Sequence, residues 1–288
     1  MGQINTAFHH ARVARGLSLQ AVAGVKNASA LNRFETGKTT LGTQRMLALM
    51  ESLGLNFLDV RGSAGIFLPP WQFTYEAMLT AQRRVQPSHA AALGAAYLTA
   101  PTEVPAPLAD MLRCLILATT GEPLTASQQA RVATHLVEMT EWFYLEFQLV
   151  QQVVPQLDDV RTERVLQALL AVATPARLHD PHYLYRAEYF KALVVILRHV
   201  VLSGNERLWQ LAWPQLAAIQ MNASANMALI WQKKVLQAGH TSVQQGQPTA
   251  ALTQLLRLPA EIGAPALAQE WQAWATQIGG ADGTGQVE

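Results

Sequence analysis

From about residue 66 onward the chain is an almost unbroken series of helical patterns, and this most narrows what it can fold into. WQFTYEAMLTAQRRV, HAAALGAAYL, PLADMLRCLILATT, SQQARVATHLVEMTEWFYLEFQLVQQVV, TERVLQALLAVA and HYLYRAEYFKALVVILRHVVLS follow one another. ERLWQLAWPQLAAIQ, NMALIWQKKVLQAG, TAALTQLLRL and PALAQEWQAWATQI complete the series. Each repeats its apolar residues at spacings of three and four, and turn signals such as TGEPL, SGN and QGQP separate them. No alternating segment reads as a strand. Ten consecutive helices with short connections predict stacked helical hairpins, an α-solenoid. Half of the 288 residues are apolar and 14% are charged, enough to bury a large core.

The first 60 residues follow a different plan. Ile4, Phe8, Ala11 and Ala14 give the opening helix one apolar face, and Gly16 ends it. Ser18 is placed to cap a second helix, LQAVAGV, and Ser29 a third, ALNRFET, which Gly37 closes. In TQRMLALMESLG, residues Met46, Leu47, Leu49, Met50 and Leu53 supply a fourth core face, and NFLDV adds a last turn. Short helices around a tight turn are the arrangement that presents a recognition helix to the DNA major groove. Charge agrees: residues 1–62 carry seven basic and three acidic side chains, net +4, leaving −3 on the remainder. The paired prolines of GSAGIFLPP mark a boundary, dividing a head at 1–65 from a helical-repeat domain at 66–280, with a polar tail at 281–288.

GLSLQAVAG, ASALNRFETGK and TQRMLALMESLGLNFLDV together resemble the lambda-repressor-like helix-turn-helix of the Rgg (MutR, GadR) family of transcriptional regulators. Gly16, Leu17, Ser18, Val22, Ala23, Ser29, Leu31, Arg33, Phe34, Glu35 and Gly37 match that pattern. Ala30 replaces its usual glutamine and Asn32 its serine. Alanine cannot form paired hydrogen bonds to adenine, although it can meet a thymine methyl. The residues expected to meet double-stranded DNA are Ser18, Gln20, Lys26, Asn27, Ser29, Ala30, Asn32, Arg33 and Lys38. The family's C-terminal domain of tetratricopeptide-like hairpins carries a W-x3-E-L-x-L-F-G-N motif, with which Trp142, Glu146 and Leu149 fall in register, Phe147 and Gln152 replacing its leucine and asparagine. The resemblance implies an all-α chain, a homodimer, and a short peptide bound in the repeat domain.

Asn222 and Asn226, four apart, are candidates for bonding an extended peptide backbone; Trp142 and Gln152 are a second candidate place. Arg186, Arg198 and Lys191 could hold a peptide carboxylate. The remaining features are expected to be ordinary: His9 and His10 surface residues, HDPHY a capped loop, and Cys114 a buried inert thiol. No nucleophile set, phosphate-binding loop, cofactor motif or metal cluster is legible, so an enzyme is not expected. The absence of a long apolar run predicts a cytoplasmic protein without a membrane partner. Two functions remain open: a peptide-controlled transcriptional regulator, or a scaffold with a constitutive DNA-binding head.

Overall fold

In a computed structural model, residues 2–24, 27–55, 69–100, 104–173, 185–219 and 227–278 are described. The chain divides into two compact units, 1–76 and 77–288. All regular structure among the described residues is helical, without a strand.

The first unit opens with α1 (Gly2–Ala14), α2 (Leu19–Ala23), α3 (Ala28–Glu35) and α4 (Thr43–Ser52). Phe8, Leu31, Phe34, Leu49, Met50 and Leu53 form its core, with Phe8 and Phe34 packed edge to face at 5.5 Å. Leu47, expected in that core, is 45% exposed. Leu49, Met50 and Leu53 share one helical face with Met46, and Leu47 lies about 100° away from Met46 around the helix. Gly16 (φ +66) and Gly37 (φ +74) end α1 and α3 in left-handed conformations, as expected. Ser18 caps α2, accepting the Ala21 amide at 3.1 Å. Ser29 is not a cap. The helix begins at Ala28, with Asn27 before it, so Ser29 lies inside its first turn.

The paired prolines open a helix, α5 (Pro70–Arg83), because a proline is tolerated at a first helical position that has no carbonyl to bond. The unit boundary therefore falls within α5, beyond the 65/66 division expected from the prolines. The helices α6 (Pro87–Thr99), α7 (Ala106–Thr119), α8 (Ala126–Glu138), α9 (Tyr144–Val153) and α10 (Asp159–Val172) follow. They are succeeded by α11 (Arg186–Ser203), α12 (Glu206–Ala218), α13 (Met227–Gln244), α14 (Ala250–Glu261) and α15 (Pro265–Thr276). Among sequential neighbours α6 packs on α7, α7 on α8, α8 on α9, α10 on α11, α11 on α12, α13 on α14 and α14 on α15, while α7 also packs on α9, α9 on α11, α11 on α13, and α8 on α10. Contacts with both the next helix and the one after it build a stack of hairpins.

The long pattern from Ser127 to Val154 is two helices, not one. At the break, the Glu146 carboxylate accepts the Phe143 amide at 3.0 Å, and Trp142 folds back to donate its indole N–H to Leu136 O at 3.1 Å. At the far end Trp274 donates to Arg198 O at 3.1 Å, and the Arg198 guanidinium lies 4.6 Å from the centre of the Trp271 ring. Cys114 is fully buried, and burial pushes its thiol up to about 11.

Candidate functional sites

The exposed side of α3 is built from behind. Leu31 and Phe34 bury one face in the head core, and Asn5 donates its side-chain amide to Phe34 O. Glu35 is buried as well. Arg12 grips it with two charge-assisted bonds of 2.6 Å, His9 Nδ1 lies 2.8 Å from its Oε2, and Arg12 also donates to Leu17 O at 2.8 Å. Burial alone would raise the Glu35 pKa, but the bonds from Arg12 and His9 prevail and hold it below the usual carboxylate value. The same bond raises the pKa of Arg12. His9 is thus more than the surface residue expected of it. Asn5, His9 and Arg12, at spacings of four and three along α1, point at α3; their spacing was legible, but their partners were not.

With that backing, Ser29, Asn32, Arg33 and Thr36 lie at i, i+3, i+4 and i+7 and are all exposed. Among the described residues, the side chains of Ser29, Asn32 and Arg33 make no hydrogen bond or ion pair. Thr36 donates its hydroxyl to Asn32 O at 2.8 Å and to Arg33 O at 3.2 Å. Gln20, Asn27 and Lys38 are exposed. Ser18 is exposed too, and its hydroxyl proton stays available while its oxygen caps α2. Arg15 and Arg45, which sequence reasoning did not assign to DNA, add two exposed cations. Because Glu35 neutralises Arg12, no uncompensated carboxylate backs this surface from within α3. Ala30 is half-buried and lines a hollow of about 200 Å³ with Val22, Leu41, Arg45 and Leu49, so it turns away from the exposed stripe. Lys26 lies outside the described residues.

The second unit sorts the peptide-site candidates unevenly. Trp142 is buried, packs edge to face on Phe147 at 5.6 Å and has its indole N–H committed, so it cannot line an open groove. Arg198 is taken up by Glu270 and the Trp271 ring, and Lys191 by Glu188 at 2.7 Å. Gln148 and Gln151 donate to Glu188 at 2.8 and 2.9 Å, tying α9 to α11. Burial would raise the pKa of Glu188, but these partners bring it below its ordinary value. Gln152 and Arg186 are half-buried and engaged in interactions. Asn222, Asn226 and the HDPHY segment lie outside the described residues.

Similarity in fold extends over nearly the whole chain. A cysteine-to-serine variant of the Streptococcus dysgalactiae SHP pheromone receptor Rgg2 is similar at a TM-score of 0.66 and 12% identity, over 94% of this chain and 97% of that one. A Listeria monocytogenes EGD-e protein, named as a candidate transcriptional regulator, reaches 0.70 at 11% identity, over 96% and 98%. A bacterial peptide pheromone/receptor complex gives 0.65 at 12% identity, over 96% and 98%. No protein-family model matches the sequence, and no curated protein does. At such identities these likenesses establish a shared fold: a small helix-turn-helix head joined to tetratricopeptide-like helical hairpins.

Proposed function

We propose that the chain is a sequence-specific DNA-binding transcriptional regulator whose helical-repeat unit binds a short peptide that alters its DNA binding. The observation that carries this reading is the exposed stripe Ser29, Asn32 and Arg33, which among the described residues has no side-chain partner, on a helix fixed from behind by Phe34 and the Glu35–Arg12 pair. A polar stripe held rigid and left unsatisfied is what groove recognition requires. The neighbours of similar fold, a pheromone receptor and a peptide pheromone/receptor complex, support a peptide as the controlling ligand. The protein would act in the cytoplasm as a homodimer, setting two heads on half-sites about 34–36 Å apart, or a multiple of that distance. The peptide would have to favour one arrangement of the heads by about 1.4 kcal/mol for each tenfold shift.

Fluorescence anisotropy of the full chain with labelled duplex DNA tests the head. Lys38→Ala should weaken all sequences alike and lower the salt slope by about one, as loss of a single phosphate contact does. Wild-type binding by Lys38→Ala, Asn32→Ala and Arg33→Ala together would remove α3 from the interface.

The scaffold reading is favoured by the second unit, where Trp142, Arg198, Lys191, Gln148 and Gln151 serve internal packing. Peptides encoded near the gene decide between the two. A response of DNA affinity supports the regulator; indifference to every peptide, with a protein partner co-purifying, supports the scaffold.

A further inference from the structure

We infer that the DNA sequence read by each head centres on an adenine and a guanine one or two base steps apart, Asn32 taking the adenine and Arg33 the guanine. This rests on the DNA-reading function proposed above and specifies its ligand. Of the exposed stripe on α3, two side chains can form paired hydrogen bonds. The Asn32 amide has one acceptor and a donor group, matching the N6 amino group and N7 of adenine. The Arg33 guanidinium presents parallel donors, matching O6 and N7 of guanine.

Within α3 the other positions do not compete. Thr36 already donates its hydroxyl to Asn32 O and Arg33 O. Ala30 faces the hollow beside Leu41 and Arg45. Ser29 offers a single hydroxyl, which does not discriminate among bases. Asn32 and Arg33 occupy the middle of the stripe, while Lys38 beyond the helix and Ser18 before α2 carry groups suited to phosphate. From Ser29 to Arg33 the helix rises about 6 Å, less than two base steps of 3.4 Å, so direct reading covers about two or three base pairs. Paired readers next to each other on one helix therefore meet neighbouring bases.

The test selects high-affinity duplexes from a random pool with the full-length protein, then replaces single purines by their 7-deaza analogues, which lack the N7 acceptor. In the wild-type protein, 7-deazaguanine at one position and 7-deazaadenine one or two steps from it should each lower affinity. Arg33→Ala should lose roughly 10- to 100-fold on the selected site and become insensitive to the guanine replacement. Asn32→Ala should do the same for adenine. Measurements on modified DNA with the unaltered protein do not depend on how the variants fold. The inference is overturned if neither analogue matters, or if Arg33→Ala weakens every sequence equally, which would make Arg33 a phosphate contact and leave the DNA-binding function standing. Failure to bind any duplex would remove both together.

Discussion

Glu35 stands where a carboxylate is least expected, at the last turn of the helix proposed above to read DNA. Its sequence position alone would place a negative charge near phosphate. Burial and the two-pronged grip of Arg12 turn it into the strut that holds α3 against α1. Glu35→Gln should destabilise the head by about 1–3 kcal/mol at neutral pH, because the bonds lost involve charged groups. The effect depends on pH in a definite direction. Since the folded head lowers the pKa of Glu35, the unfolded chain binds the proton more readily, and stability falls as pH falls. The contribution is complete above the ordinary carboxylate value of 4.5 and disappears as pH drops through the lower folded value. Denaturation midpoints of wild type and Glu35→Gln should thus differ at pH 7 and converge in acid; a constant difference would show that the strut is not electrostatic. Phe34, 3% exposed, should cost about 3–5 kcal/mol on replacement by alanine, read from the same curves.

Two helix junctions illustrate opposite local solutions. Between α5 and α6, Val85, 69% exposed, adopts φ +57, a left-handed conformation that a β-branched residue resists. Gln86 donates to Ala81 O across it at 2.9 Å, the closure that glycine normally permits. Val85→Gly should therefore raise the thermal midpoint despite the greater freedom of glycine in the unfolded chain, a gain of up to about 1 kcal/mol. A lowered midpoint would show that Val85 makes contacts worth more than its strain. Within α13 the reverse holds: a Cβ added at Gly239 would stand 2.5 Å from the Trp274 ring. Gly239→Ala should cost about 1–3 kcal/mol by forcing α15 outward, and the change should register in tryptophan fluorescence.

At the scale of the molecule, the two compact units are expected to answer perturbation separately. Cys114, the sole cysteine, is buried in α7 with its thiol pushed up to about 11, so it stays unreactive while the second unit is folded. In Phe34→Ala, heating should abolish DNA binding at a temperature where Cys114 still resists a thiol reagent. Simultaneous loss of both would mean that the units unfold as one. The ten described helices that lie wholly in the second unit, α6 to α15, with Gln148 and Gln151 joined to Glu188 across α9 and α11, give it its own source of stability.

The sequence by itself determined the helical class, the stacked hairpins and the head's plan, since these follow from local periodicity and from cap and turn residues such as Ser18, Gly16 and Gly37. It also placed Leu31 and Phe34 inward and Asn32 and Arg33 outward, which the 3.6-residue repeat dictates. What a polar group bonds to beyond its own helix or turn was decided only by tertiary structure. Glu35 and Arg12 lie 23 residues apart and Trp274 and Arg198 76 apart, and no local pattern encodes such pairs. Trp142, a candidate for the peptide site, is an internal brace, and the helix that periodicity ran from Ser127 to Val154 divides where Glu146 and Trp142 bond backbone groups three and six residues away, a local break that periodicity alone does not show. Periodicity fixes which face of a helix is apolar; the partner across that face is fixed when distant helices are brought together and each buried donor must find an acceptor.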